Sequence, residues 1–177
     1  SLRLHTGDPS IYGAIREQMD RLESLGFGYE VVPGVSSFSA AAAALKAEYT
    51  LPGVSQTLII TRTAGKTAAP EKEDLSLLAA HRAGMAVFLS AGLLETLRQK
   101  LLDGGYPPET PAAIVYKASW PDEKIIRTSL EDIAVKGREA GINRTALILV
   151  GGFLGQDYER SKLYDPGFTH GFRQGVK

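Results

Sequence analysis

The first apolar stripe of the chain has helical spacing and stands between two turn signals. Its five members are three or four residues apart: Ile11, Ile15, Met19, Leu22 and Leu25. Asp8 is a residue type that caps helices, and Pro9 has the backbone angle of a first helical position. Gly26 follows the last apolar member and favours a helix end there. The pattern predicts a helix that begins after Pro9 and ends at Gly26.

Two short segments flank this helix and predict strands. Residues 2–5 alternate between apolar and polar types, and residues 29–32 form a short buried-type run that Pro33 and Gly34 close. Ser36 or Ser37 then opens an alanine-rich helix that extends to about residue 45. The order strand, helix, strand, helix predicts an α/β arrangement in this part of the chain.

The alternation of strand and helix patterns continues after residue 55. Predicted strands are 58–61, 85–89, 112–116, 125–128 and 146–150, and predicted helices are 74–81, 93–103 and 130–139. Residues 85–89 and 146–150 are apolar on both faces, which is typical of central strands. The alternation favours α/β layers with mainly parallel sheets.

A break in periodicity at Pro52-Gly53 divides the chain. Proline and glycine together are a turn or linker signal. We therefore expect the remainder of an N-terminal α/β lobe at 1–48, a linker at 49–55, and a C-terminal α/β lobe with an irregular tail at 56–177.

Composition excludes several classes of function. Lys plus Arg and Asp plus Glu each number 20, so no net charge attracts nucleic acid or a membrane surface, and neither is expected as a partner. The absence of cysteine excludes thiolate nucleophiles and zinc–thiolate sites, and it fits a cytoplasmic location. The three histidines are far apart in the sequence, and no metal site is expected.

Turns of small residues follow the predicted strands at four places. They are Thr6-Gly7-Asp8-Pro9, Pro33-Gly34-Val35-Ser36-Ser37, Ser90-Ala91-Gly92 and Ala118-Ser119-Trp120-Pro121. Each turn alone is explained as a helix cap or a tight turn. Ligands of open α/β sheets bind outside the carboxyl ends of strands, so the four together leave two interpretations open, local caps or a ligand crevice. No phosphate-loop, dinucleotide, zinc-protease or hydrolase motif is present.

Cations and aromatic residues gather in two segments. They are Arg62, Lys66 and Lys72 in one, and Tyr116, Lys117, Trp120 and Lys124 in the other. Such groups suit a flat anionic ligand, and a solvated charged loop with an aromatic rim explains them as well. Asp122 and Glu123 are adjacent in an extended segment and point to opposite sides, so we expect a solvated pair rather than an acid/base pair.

Four blocks of sequence stand out by their order and spacing. They run from Thr6 to Gly13, from Val32 to Ser37 with the alanine-rich helix, from Val115 to Glu123, and through the tail from Ser161 to Pro166 and from His170 to Arg173. With them, essentially the whole chain resembles the tetrapyrrole (corrin/porphyrin) methylase family. The resemblance implies two α/β lobes, the first incomplete and the second a mixed sheet with flanking helices. It also implies an initial strand and glycine-rich loop that this sequence lacks, so we expect an N-terminally truncated form.

The resemblance implies a cofactor site and a substrate site. The residues that it implies for S-adenosylmethionine, in the cleft between the lobes, are Thr6, Gly7, Asp8, Ile11, Ser36, Ser37, Leu89 and Ala118. The tetrapyrrole has carboxylate arms, and Arg62, Lys117 and Trp120 are the candidates for holding it. A sulfonium donor needs alignment and exclusion of water rather than an acid, and no catalytic residue is assigned.

The function that the resemblance implies is S-adenosylmethionine-dependent methyl transfer to C11 of precorrin-4, or of cobalt-precorrin-4, in cobalamin biosynthesis. Two alternatives stay open. One is another tetrapyrrole methylation, such as that of uroporphyrinogen III, and the other is binding of cofactor or tetrapyrrole without catalysis. The resemblance further implies a homodimer.

Overall fold

A five-stranded sheet is the centre of the fold, which is described here by a computed structural model. The structure describes residues 1–65, 67–161 and 165–175, so Lys66 and the tail segment 162–164 of the sequence argument lie outside the described residues. The strands are β1 (Leu58–Arg62), β2 (Gly84–Phe88), β3 (Pro111–Tyr116), β4 (Lys124–Ser129) and β5 (Ala146–Val150). The helices are α1 (Ile15–Ser24), α2 (Ser37–Leu45), α3 (Leu75–Ala79), α4 (Leu94–Asp103) and α5 (Ile133–Glu139).

The sheet mixes strand directions in the order β1-β2-β5-β3-β4. β1 and β2 are parallel, whereas β5 is antiparallel to both β2 and β3, and β4 is antiparallel to β3. The prediction of a mainly parallel sheet is therefore wrong, and the expected mixed sheet with flanking helices is confirmed. The reason is that β5 enters between β2 and β3 from the opposite direction, which an alternation of elements does not encode.

Helices cover the sheet on both faces. On one face Met85, Ile114 and Ile148 pack in the cluster that contains α3, α4 and α5. On the other face Ala86 and Leu149 pack in the cluster that contains α2. Successive side chains of a strand point to opposite faces, so β2, β3 and β5 must be apolar throughout. This confirms 146–150 as a central strand, and the other central strand is Gly84–Phe88 rather than 85–89, because Leu89 has a positive φ of 53°.

The first 36 residues differ from the predicted pattern. Residues 2–5 and 29–32 form no strand, and within the described chain neither has a ladder partner. Leu2 and Leu4 are 84% and 81% exposed. An alternating pattern shows only that a segment suits a sheet, and a strand also needs a neighbour to pair with.

Helix α1 begins later than predicted. It starts at Ile15 rather than after Pro9, because Tyr12 and Ala14 have positive φ angles of 56° and 51°. A right-handed helix cannot contain that conformation. The predicted end is confirmed, since α1 stops just before Gly26, whose φ is 71°.

The helices of the described chain are short. α1 and α4 have 10 residues each, and no helix in the described ranges has the length and apolar character that crossing a membrane requires.

Candidate functional site

Three strand ends meet at one edge of the sheet. Because β5 is antiparallel to β2 and β3, its amino end lies beside their carboxyl ends. Leu89 directly follows β2, Lys117 directly follows β3, and Thr145 directly precedes β5. All three have positive φ angles, of 53°, 48° and 54°. The space outside this edge is therefore bordered by three tight turns.

A cavity with a volume of about 620 Å³ opens at this edge. Its lining comes from residues 6–11, residues 35–40, the turns after β2 and β3, and residues 143–147. The volume is in the usual range for small-molecule sites, about 300 to 1,000 Å³. Widely separated parts of the chain thus enclose one space of ligand size.

The structure places all eight residues predicted for the cofactor on this cavity. They are Thr6, Gly7, Asp8, Ile11, Ser36, Ser37, Leu89 and Ala118. Lys117 and Trp120, predicted for the substrate, line it as well. Their contact with a ligand stays a prediction, but the sequence argument and the geometry select the same place.

Arg62 is the predicted substrate residue that does not line the cavity. Its guanidinium donates to the carbonyl oxygens of Thr67, at 3.1 Å, and Ala68, at 2.6 Å. Both acceptors lie in the loop that follows β1. In this structure Arg62 therefore closes its own loop.

Asp8 joins the two N-terminal turns. Its Oδ1 accepts the backbone N–H of Ser10 at 2.8 Å, and its Oδ2 accepts the backbone N–H of Gly34 at 2.9 Å. The Ser10 hydroxyl also donates to Oδ1, and this bond is the main cause that lowers the pKa of Asp8. The carboxylate is ionised at neutral pH and holds the wall of the cavity together, so it is not a free base.

Two glycines allow the same turns to touch. A Cβ on Gly34 would lie 2.1 Å from the carbonyl oxygen of Gly7, and Gly7 has a φ of 70°. A side chain would clash at the first position and strain the backbone at the second. The glycines therefore permit the close backbone approach that forms this wall.

The amino end of α2 forms the neighbouring wall. Ser36 is the N-cap residue and is 6% exposed, and no side chain accepts a hydrogen bond as a cap. The prediction that Ser36 or Ser37 opens this helix is confirmed. The amide of Ser39 donates to the carbonyl of Ser36 at 3.0 Å, whereas the first two amides of a helix have no acceptor within it and attract polar or anionic atoms. Ser36 and Ser37 line the cavity at this point.

The loop between β3 and β4 is closed by its own hydrogen bonds. The backbone N–H of Trp120 donates to the carbonyl of Lys117 at 3.0 Å, and that of Glu123 donates to the carbonyl of Trp120 at 3.0 Å. Oε2 of Glu123 accepts the backbone N–H of Ser119 at 2.7 Å. The N–H of Lys117 donates to the carbonyl of Thr145 at 3.0 Å, which ties the loop to the start of β5. This side of the cavity is preorganised.

Lys117 is paired within that loop. Its Nζ donates to Oδ2 of Asp122 at 2.5 Å and lies 5.1 Å and 5.3 Å from the ring centres of Tyr116 and Trp120. The hydrogen bond raises the pKa of Lys117 and lowers that of Asp122. Asp122 is 53% exposed, and both Asp122 and Glu123 form contacts within the loop, so neither is free to act as a base.

Sequence reasoning missed the part of the lining that precedes β5. Asn143, Arg144 and Thr145 line the cavity. These residues precede a strand, whereas the turns that the sequence pattern singles out follow strands. An antiparallel central strand brings its amino end to the edge of the sheet where the cavity lies. The sequence pattern does not show the direction of β5, so these residues could not be predicted.

The lining suits a ligand that is held by turns and small polar groups. Its apolar members include Ile11, Val35, Phe88, Leu89 and Val115, and its small polar members include Thr6, Ser36, Ser37 and Ser119. Within the described chain, Asp8 is the only carboxylate on this lining, and it is engaged. No group of three or more His, Asp or Glu side chains there could hold a metal ion. The arrangement can enclose and align a ligand without a proton-transfer residue.

Comparison with known proteins gives one consistent family. The sequence matches the profile described as Tetrapyrrole (Corrin/Porphyrin) Methylases over residues 2–134. It is 55% identical over 177 residues to a protein of Methanocaldococcus jannaschii named cobalt-precorrin-4 C(11)-methyltransferase, covering 99% of this chain and 68% of that protein. It is 51% identical over 164 residues to a precorrin-4 C(11)-methyltransferase of Mycobacterium tuberculosis, covering 92% and 65%.

Solved structures agree with the sequence relatives. The X-ray structure of a cobalamin biosynthetic enzyme, the cobalt precorrin-4 methyltransferase CbiF, matches with a TM-score of 0.85 and 47% identity, covering 87% of this chain and 64% of that chain. A uroporphyrin-III C-methyl transferase from Thermus thermophilus, complexed with S-adenyl homocysteine, matches with a TM-score of 0.70 and 27% identity, covering 84% and 64%. The chain spans about two thirds of the length of these relatives.

Proposed function

This chain belongs to the tetrapyrrole (corrin/porphyrin) methylase family, and we propose that it transfers a methyl group from S-adenosylmethionine to C11 of precorrin-4 or of its cobalt complex. Relatives with 55% and 51% identity have names that state this reaction. The observation that carries the proposal is the single cavity on which all eight predicted cofactor residues lie. The reaction belongs to cobalamin biosynthesis, the process named for a similar solved structure.

The cofactor binds between two lobes, at 1–48 and 56–177, that the segment 49–55 connects. The composition of the cavity lining supports this division. Gly7 and Ser37 come from the first lobe, and Leu89 and Ala118 come from the second. Sites between two units are common places for small ligands.

The lining fits S-adenosylmethionine in the chemistry of its groups. Ile11, Phe88 and Leu89 offer apolar surface to an adenine ring, and Leu89 is 70% exposed at the cavity. Ser36, Ser37 and the first-turn amides of α2 suit the hydroxyl and carboxylate groups. When bound, the cofactor supplies a methyl group on a sulfonium. The leaving group is then a neutral thioether, which needs no acid. The residues of this chain orient the ligands and keep water away.

The tetrapyrrole binds at the side of the cavity formed by the β3–β4 loop. Trp120 is 55% exposed there and offers a ring face, and Lys117 lies between that ring and Tyr116. A flat macrocycle stacks favourably on an exposed indole. The preorganised loop lowers the entropic cost of binding.

Incubation of the protein with precorrin-4 and S-adenosylmethionine that carries a ¹³C-labelled methyl group tests the proposal. We expect an NMR signal from a new methyl group on C11. Label on another carbon would contradict the C11 assignment, and methylation of uroporphyrinogen III instead would favour that activity. Micromolar binding of S-adenosylhomocysteine without methyl transfer would favour binding alone.

A matched pair of variants connects the activity to the cavity. Asp8→Ala removes the acceptor of the Ser10 and Gly34 amides and should weaken S-adenosylhomocysteine binding by at least about tenfold, because the two turns of this wall lose the carboxylate that joins them. Asp20→Ala removes a carboxylate that pairs on α1 with Arg16 and should leave binding unchanged. Equal affinities in the two variants would contradict the placement of the cofactor.

We also propose that the protein is a cytoplasmic homodimer. The exposed apolar side chains Leu2, Leu4 and Val32 support an assembly that covers them. The lack of cysteine supports a reducing compartment. Light scattering after size-exclusion chromatography tests the dimer, and a monomer mass at micromolar concentration would contradict it.

A further inference from the structure

Two cations of the described chain line the cavity, Lys117 and Arg144, and they differ in their partners. Lys117 is neutralised by Asp122 at 2.5 Å. Arg144 is exposed, and among the described residues no side chain or carbonyl forms an ion pair or hydrogen bond with its guanidinium. An unpaired guanidinium keeps its full capacity to bind a carboxylate by two parallel hydrogen bonds.

The backbone on both sides of Arg144 is fixed. The carbonyl oxygen of Asn143 packs against Gly92, where an added Cβ would lie 3.1 Å from it. The carbonyl of Thr145 accepts the N–H of Lys117 at 3.0 Å. Arg144 is therefore held between the turn after β2 and the turn after β3, while its side chain is left without a partner within the described ranges.

We infer that Arg144 is a specificity-determining residue that binds a carboxylate arm of the tetrapyrrole. This inference rests on the proposed function. It differs from the sequence prediction, because Arg62 is engaged by Thr67 and Ala68 and Lys117 is engaged by Asp122. Arg144 is thus the lining cation that is available to an anion.

Net charge favours the tetrapyrrole over the cofactor as the partner of Arg144. S-adenosylmethionine has a sulfonium and an ammonium against one carboxylate, so it is cationic overall. A precorrin has several carboxylate arms and is strongly anionic. A guanidinium next to the cavity repels the first ligand and attracts the second.

Binding titrations of the full chain with two probes test the inference. Uroporphyrin III, a stable tetrapyrrole with acetate and propionate arms, is titrated by absorbance, and S-adenosylhomocysteine by calorimetry. Arg144→Gln should raise the Kd for uroporphyrin III about tenfold and leave that for S-adenosylhomocysteine unchanged. Arg144→Lys keeps the charge but loses the planar fork, so its Kd should be intermediate. The affinity of the Gln variant should also depend less on salt than that of the wild type.

Arg16→Gln is the matched control. It removes the same charge from an exposed residue of α1 that does not line the cavity, and it should change neither Kd. A thermal melt of each variant confirms that the fold is intact.

Each contrary result has a distinct meaning. Equal uroporphyrin III affinity in Arg144→Gln and the wild type would overturn the inference and leave the proposed function intact. Weakened binding of S-adenosylhomocysteine alone would overturn it by assigning Arg144 to the cofactor. A wild-type protein that binds S-adenosylhomocysteine but no tetrapyrrole would overturn both the substrate proposal and the inference.

Discussion

Replacement of Gly34 by alanine should weaken cofactor binding while sparing the stability of the fold. The new Cβ would lie 2.1 Å from the carbonyl oxygen of Gly7, which is backbone and cannot rotate away. The two turns must separate, and the hydrogen bond from Gly34 to Asp8, now 2.9 Å long, must lengthen. Overpacking of this kind costs about 1–3 kcal/mol.

The cost should appear in binding rather than in unfolding. α1 has no buried residue, so the N-terminal turns can shift in the free protein and relieve the clash. A ligand that needs both turns in place must restore the strained arrangement. A cost of about 2 kcal/mol corresponds to an affinity about thirtyfold lower.

Calorimetric titration with S-adenosylhomocysteine measures this effect, and urea denaturation measures stability in parallel. Gly28→Ala is the matched control, because a Cβ there would meet nothing within 4 Å. If Gly34→Ala binds as tightly as Gly28→Ala, the contact between the turns does not shape the cofactor site. If both its affinity and its stability fall together, the N-terminal turns are part of the cooperative core and cannot shift in the free protein.

Three further substitutions test the packing of residues 56–177. Bonds from Lys100 and Ser76 hold the pKa of Asp74 at about 2 rather than 3.8, so its carboxylate stabilises the fold above about pH 4, and this stabilisation is lost as the pH falls toward 2. Asp74→Asn should flatten the stability curve in that window, measured by urea denaturation at several pH values, and an unchanged curve would contradict the assignment. Tyr106→Phe removes the hydroxyl that donates to the buried carbonyl of Ala83. It should lower the free energy of unfolding by about 1–2 kcal/mol in the same assay at pH 7. An unchanged free energy would mean that the carbonyl finds another donor. Gly104→Ala would place a Cβ 2.3 Å from the carbonyl oxygen of Ser76. It should lower the unfolding free energy by about 1–3 kcal/mol and leave the S-adenosylhomocysteine affinity unchanged. A change in affinity would show that this packing reaches the cavity.

The sequence predicted strands β1 to β5 to within a few residues, for a clear physical reason. β2 and β5 are buried on both faces, so each is a continuous apolar run that polar or glycine residues interrupt at its ends. Strand direction has no such local signature. The order of the elements does not show that β5 lies between β2 and β3, and the parallel arrangement was therefore wrongly predicted.

The candidate site shows the same limit: residues that follow strands were predicted, and residues that precede β5 were not. Leu89 and Ala118 were implied by the resemblance to the family, and the rule that ligands bind at the carboxyl ends of strands selected the turns at which they stand. Arg144 precedes β5, and only the antiparallel direction of that strand brings it to the cavity. The delayed start of α1 was missed because the apolar spacing is helical from Ile11 onward and does not show the positive φ angles of Tyr12 and Ala14.

The reversed direction of β5 has a practical consequence for following ligand binding. The chain leaves β5 at Val150, at the opposite edge from the cavity, and continues to the exposed Gln156. Because the sequence contains no cysteine, Gln156→Cys would create a unique thiol for a fluorescent dye. Five strand residues separate the two ends of β5 by roughly 17 Å, and Gln156 does not line the cavity, so a dye there would leave the lining unaltered.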